Sequence, residues 1–172
     1  MSCNVLFLCT GNSARSILCA ATLKHLGGGR FVAYSAGSQP VATVNPYALA
    51  ELERRDISSE GSRSKSWDEY TGPNGPTFDL VITVCDSAAS EACPVFFGDF
   101  AKAHWGLPDP ASVAGDDATL REAFRRTENV ILERLTALVE LPVESLDQTS
   151  LQQELAAIGN RFPAVALTEQ AA

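Results

Sequence analysis

In "LCTGNSARS" a cysteine, Cys9, and an arginine, Arg15, enclose only small or turn-compatible residues: Thr10, Gly11, Asn12, Ser13 and Ala14. A run of that kind can curl so that successive backbone N–H groups face one centre, forming an anion nest that ends where a helix begins at Ser16. Gly11 supplies conformational freedom, and Asn12 tolerates a left-handed backbone better than most residues. The planar fork of Arg15 suits two oxygens of a tetrahedral oxyanion. The same field favours a thiolate, so the pKa of Cys9 is expected well below the ordinary value of about 8.5. Ser13 or Ser16 is placed to donate a further hydrogen bond to the sulfur. Such a loop would hold a phosphate-like group by its oxygens and present sulfur for in-line attack on the central atom. The same residues also fit a plain strand-to-helix turn with a buried cysteine and a solvent-facing arginine. The Gly-x4-Gly-Lys-[Ser/Thr] pattern of a nucleotide P-loop is absent.

The elements around this loop must position it. Residues 4–8, "NVLFL", read as a buried strand, and residues 16–26 as an apolar helix stopped by Gly27. Residues 31–34 form a second short strand, followed by a turn at 37–40. "NPYALAELERRD" is a helix with Asn45 as cap and Pro46 in its first turn, Leu49 and Leu52 lying on one side. Residues 58–76 are polar loop with a short turn around Trp67 and Tyr70. "DLVITVC" is a third strand whose continuous apolar character suits a sheet covered on both faces. Residues 94–98 read as loop, "AHWG" as a fourth short strand, and 108–110 as a turn. Residues 116–141 form the longest helix, with Leu120, Phe124, Ile131, Leu135 and Leu138 as its apolar stripe. Beyond Pro142 the pattern weakens to a helical turn or two and a frayed end. Alternation of strand and helix predicts an α/β fold: a four-stranded parallel open twisted sheet flanked by helices, with the site at the strands' carboxyl ends. The expected division is a catalytic domain over 1–142 and a partly helical or frayed extension over 143–172.

The totals narrow the partners. The 172 residues are 45% hydrophobic and 20% charged, ordinary material for one globular domain. A net charge of -8 argues against nonspecific binding to nucleic acid or anionic lipid, because both need clustered cations. The start, "MSCNVLFLC", has no basic leader and too short an apolar run for a membrane span, so a cytoplasmic location is expected. Five cysteines are an odd number, and a chain of this size needs no disulfide scaffold. No cluster has the spacing of a structural zinc site, and neither a metal nor a cofactor is expected. Cys3 and Cys19 read as packing residues.

"LCTGNSARS", followed by "VITVCD", "ACP" and "HWGLPDPA", resembles the arsenate reductases of the low-molecular-weight protein tyrosine phosphatase superfamily. The resemblance implies that Cys9 is the nucleophile, residues 10–16 the oxyanion loop (Thr10, Gly11, Asn12, Ser13, Ala14, Arg15, Ser16), Arg15 the clamp and Asp109 the general acid. Pro108 and Pro110 would hold that aspartate on a stiff loop, where it can protonate a leaving oxygen; a simple turn or cap aspartate is the other reading. The resemblance also places Cys85 and Cys93 in the region of two resolving cysteines. Cys85 would attack Cys9, and Cys93 would attack Cys85, carrying the disulfide outward to thioredoxin. The other routes are glutathione with glutaredoxin, or mycothiol with mycoredoxin. Two further functions fit the same loop: a phosphatase acting through a Cys9 phosphoenzyme, and a non-catalytic oxyanion-binding, redox-responsive protein.

The chain departs from the family pattern in several places. Ala14 stands where thioredoxin-coupled members often carry a cysteine. Ala20 replaces a glutamate that can help hold a potassium ion, leaving Asn12 and Ser35 as nearby oxygens. The spacing from Cys85 to Cys93 is one residue longer than in the thioredoxin-coupled pattern. "ASVAGDD" follows Pro110 where eukaryotic-type phosphatases carry tyrosines, so an aromatic ester has less to stack against.

Overall fold

The structure, a computed structural model, describes residues 2–85 and 99–167. Cys93 and the loop expected over 94–98 lie outside the described residues. Four parallel strands make one sheet in the order β2-β1-β3-β4: β1 is Cys3–Cys9, β2 Phe31–Gly37, β3 Leu80–Thr83 and β4 Ala101–His104. The helices are α1 Arg15–Gly27, α2 Pro46–Arg54, α3 Asp117–Glu140 and α4 Gln148–Arg161. The expected parallel α/β sheet is therefore present.

β1 lies between β2 and β3, and its last five residues are buried, which is why its sequence is apolar without alternation. Val5, Phe7 and Cys9 point into the larger core, shared with α1, α2, α3 and α4. Leu6 and Leu8 point to the other face, where Phe78, Tyr34 and Tyr70 pack edge-on with ring centroids 5.3–5.9 Å apart. The Trp67–Tyr70 turn thus covers this second face, with the Ser66 side chain accepting from the Asp68 N–H at its start.

The element ends follow local chemistry. The Asn45 side chain caps α2 by accepting from the Tyr47 N–H at 2.8 Å, and Asp116 caps α3 by accepting from Thr119 N–H at 2.9 Å. On α2 the buried face is Ala48, Glu51 and Leu52, whereas Leu49, expected beside Leu52, is 37% exposed. β4 begins two residues before the expected "AHWG" strand. It lies at the sheet edge, and α4 covers that edge: Gln152 Oε1 accepts from Lys102 N–H and Gln148 Nε2 donates to Phe100 O, each at 2.9 Å. The helix after Pro142 is longer than a turn or two. Its Leu151, Leu155 and Ile158 are buried in the same core cluster as β1 and α1.

Candidate active site

The oxyanion loop joins the end of β1 to the start of α1. Its carbonyls are drawn outward: Thr10 O accepts from Gln39 N–H at 2.9 Å, Gly11 O from Val41 N–H at 3.1 Å and Ser64 Oγ at 3.0 Å, and Ser13 O from Asn45 N–H at 2.9 Å. In a trans peptide the N–H points opposite to the C=O, so these bonds turn the following N–H groups inward. The Asn12 N–H accordingly donates to Cys9 Sγ at 3.2 Å. Asn12 sits at φ 47, the left-handed conformation its type tolerates. Ala14 at the helix N-cap has no capping side chain, which leaves the first N–H groups of α1 to the loop centre. The close passage of this loop over β2 requires Gly37, where a Cβ would meet Thr10 O at 2.4 Å.

A buried polar chain orients the Cys9 thiol. Asn12 Nδ2 donates to Ser16 Oγ at 2.7 Å, and Ser16 Oγ lies 3.1 Å from Cys9 Sγ. Because Ser16 accepts from Asn12, its own proton is available for the sulfur. The other end of the Asn12 amide is fixed by Lys65, whose backbone N–H and Nζ reach Oδ1 at 2.9 and 3.4 Å. Lys65 Nζ also donates to Ser35 Oγ at 3.1 Å and Arg63 O at 2.7 Å. This ammonium sits on Asn12 and Ser35, the two oxygens left for a potassium ion in the sequence. Burial, and secondarily Arg63, bring the Lys65 pKa down to about 8. Sequence reasoning missed Lys65 because it lies in a polar loop and only folding brings it beneath Asn12.

Arg15 is half-buried rather than solvent-facing, and its Nη1 donates to Leu107 O at 3.0 Å. That bond links the oxyanion loop to the segment leading to Asp109. Asp109 Oδ1 accepts from Ala111 N–H at 3.0 Å, so the aspartate caps the Pro110–Ser112 turn. The Cys85 thiol is buried against the loop, and its sulfur lies 3.6 Å from Thr10 Oγ1. The fold thus brings Cys9 and Cys85 together from residues far apart in sequence, with Arg15 on the same loop. Cys3 lies at the opposite end of β1, and Cys19 is buried in the core.

The expected lowering of the Cys9 pKa is corrected by this geometry. Its thiol is pushed well up, first by the hydrogen bond with Cys85 and then by burial. Ser16 pulls in the other direction and does not prevail. Two thiols sharing one closed pocket disfavour a second ionisation, so proximity to Cys85 outweighs the nest around Cys9.

The family model for low molecular weight phosphotyrosine protein phosphatases matches residues 4–155. The arsenate reductase of Halalkalibacterium halodurans is 33% identical over 136 residues, covering 79% of this chain and 94% of that protein. The arsenate reductase of Archaeoglobus fulgidus superimposes with a TM-score of 0.61 at 28% identity, over 80% of this chain and 99% of that one. An arsenate reductase solved in its phosphate-binding state gives a TM-score of 0.62 at 25% identity, over 81% and 97% of the two chains. This chain belongs to the low molecular weight phosphotyrosine protein phosphatase family.

Proposed function

We propose that this protein is an arsenate reductase that works through Cys9, Cys85 and Cys93. The observation that carries the reading is the buried Cys85 thiol, whose sulfur lies 3.6 Å from Oγ1 of Thr10, the residue next to Cys9 on the oxyanion loop. A phosphatase hydrolyses its phosphocysteine with water and needs no second thiol there, whereas reduction of arsenate needs two electrons from one. The similarity to arsenate reductases over most of both chains supports the same substrate.

In this mechanism the inward N–H groups of residues 10–16 and the Arg15 fork hold the oxygens of arsenate. The Cys9 thiol passes its proton to an arsenate oxygen and attacks arsenic as the thiolate, Asp109 gives its proton to the departing hydroxyl, and water leaves. Cys85 then attacks Cys9 Sγ. The Cys9–arsenic bond breaks with its electron pair going to arsenic, which leaves as arsenite, and a Cys9–Cys85 disulfide forms. Cys93 attacks Cys85, freeing Cys9, and thioredoxin reduces the resulting Cys85–Cys93 disulfide. Such a cycle belongs in the reducing cytoplasm. Among the described residues no helix is long and apolar enough to cross a membrane.

The test is arsenite formation by the purified protein with thioredoxin, with glutathione and glutaredoxin, with mycothiol and mycoredoxin, and with no reductant. Thioredoxin alone should sustain turnover, and Cys85→Ser or Cys93→Ser should stop it while sparing any hydrolysis of phosphoesters. Full thioredoxin-driven turnover in both variants would sink the relay. Turnover only with a small thiol and its redoxin would replace thioredoxin by that system. Hydrolysis of aryl phosphates without arsenate turnover would return the site to phosphatase chemistry.

A further inference from the structure

Arg134 lies on α3 with only 3% of its surface exposed, in a core where a guanidinium is costly unless its donors are used. Among the described residues, its hydrogen bonds run to main-chain carbonyls. Nη1 donates to Trp105 O at 2.9 Å and to Gly106 O at 3.4 Å, and Nε donates to Phe162 O at 2.9 Å. The space lined by Cys19, Val84, Trp105, Leu107 and Arg134 has no room for a water molecule. Loss of the guanidinium would remove this partner from the buried Trp105 carbonyl.

The same segment is held from its other side by the site itself. Arg15 Nη1 donates to Leu107 O at 3.0 Å, and the Leu107 N–H donates to Val84 O, also at 3.0 Å. Two guanidiniums therefore bracket the three consecutive carbonyls of residues 105–107, just ahead of Asp109. One belongs to the oxyanion loop and the other to a helix that supplies no group to it. Moving the carbonyls held by Arg134 moves the carbonyl that orients Arg15.

We infer that Arg134 is a positioning residue for oxyanion capture: it fixes Trp105 O and Gly106 O, and through Leu107 O it sets the direction of the Arg15 fork and the seat of Asp109. This rests on the reading that residues 9–16 bind an oxyanion, and it assigns a task to a residue outside that loop. A lysine in its place keeps the charge but lacks the planar spread of donors, so it can serve only part of this set of carbonyls.

The experiment measures binding of inorganic phosphate to the full chain by calorimetry, alongside thermal unfolding. Arg134→Met should weaken phosphate about tenfold and Arg134→Lys about threefold, an ordering expected from the loss of charge-assisted hydrogen bonds. In arsenate turnover, KM should rise by a similar factor in Arg134→Met, a larger change than that in kcat. Leu138→Ala, which opens a cavity elsewhere on α3, should lower Tm and leave phosphate affinity unchanged. Phosphate affinity within twofold of the parent in folded Arg134→Met overturns the inference. So does an equal loss in Leu138→Ala. If Arg134→Met does not fold, unchanged affinity in Arg134→Lys overturns it instead. A parent protein that binds no phosphate removes the underlying reading and this inference with it; one that binds phosphate without reducing arsenate removes only the proposed activity.

Discussion

Residues 9–16 and residues 105–109 meet at one site but are shaped by different parts of the chain. In the first loop, Asn12 bonds Ser16, Ser16 contacts Cys9, and the Asn12 N–H turns in to the same sulfur, all within eight residues. In the second, Arg15, Val84, Arg134 and Leu155 hold the backbone of 105–107 and the indole of Trp105, and none of them is its neighbour in sequence. The first loop combines these internal bonds with outward ones to residues 39, 41, 45, 64 and 65, while residues 105–107 are held by other elements. Damage at a distance should therefore reach Asp109 before it reaches Cys9. α3 stands behind both loops, with Arg134 under the second and Glu128 bonded to Thr22 of α1, the helix that follows the first.

The largest effect is expected where the dependent loop delivers its chemistry. Asp109→Asn should lower arsenate turnover by roughly 10²–10⁴-fold with phosphate affinity kept. Unchanged turnover would reduce Asp109 to a turn cap and leave the second loop without a chemical role.

Asn12→Ala probes the internal bonds of the first loop. It places an alanine at φ 47 and removes the bonds to Ser16 and Lys65, so stability should fall by about 2–4 kcal/mol. Phosphate binding should weaken in step, as read by denaturant unfolding and calorimetry. A stable variant that still binds phosphate would show that the loop is held mainly by the outward carbonyl bonds.

Glu128→Gln tests the support behind α1. The Glu128 carboxyl is buried, accepts from Thr22 Oγ1 at 2.8 Å through Oε2, and among the described residues has no partner at Oε1. Burial raises its pKa from the ordinary 4.5 to about 8. The folded state thus holds a proton that the unfolded chain has lost. Stability from this group is fully present below pH 4.5 and is lost as pH rises through about 8, at roughly 1.4 kcal/mol per unit. Glu128→Gln should flatten that decline, and an equally steep one in the variant would assign the pH dependence elsewhere.

The smallest change is one of titration. Cys85→Ala removes the leading cause of the raised Cys9 pKa, so the alkylation profile of Cys9 should move to lower pH. At a fixed pH below both midpoints, the thiolate fraction rises about tenfold for each unit of that movement. An unmoved profile would make burial the deciding influence on Cys9.

What was legible in the sequence follows from range. β1 and β3 are continuous apolar runs because both faces are covered, and α2 and α3 are marked by Asn45 and Asp116 at their starts. β4 was displaced because AKAH has no apolar run, being an edge strand closed by side chains of α4. Leu49 and Leu52 are expected on one side of α2, but Ala48, Glu51 and Leu52 set its buried face and leave Leu49 exposed.

At the site, the sequence by itself marked the anion loop by its small residues between a thiol and a guanidinium. The bonds that turn its N–H groups inward come from residues 39, 41, 45 and 64 and were set by the fold. Only the tertiary structure set Cys85 against the loop of Cys9, Lys65 beneath Asn12, and Arg134 behind residues 105 and 106. It also reversed the expected direction of the Cys9 pKa, because burial and a second thiol act through space and leave no spacing in the chain to read.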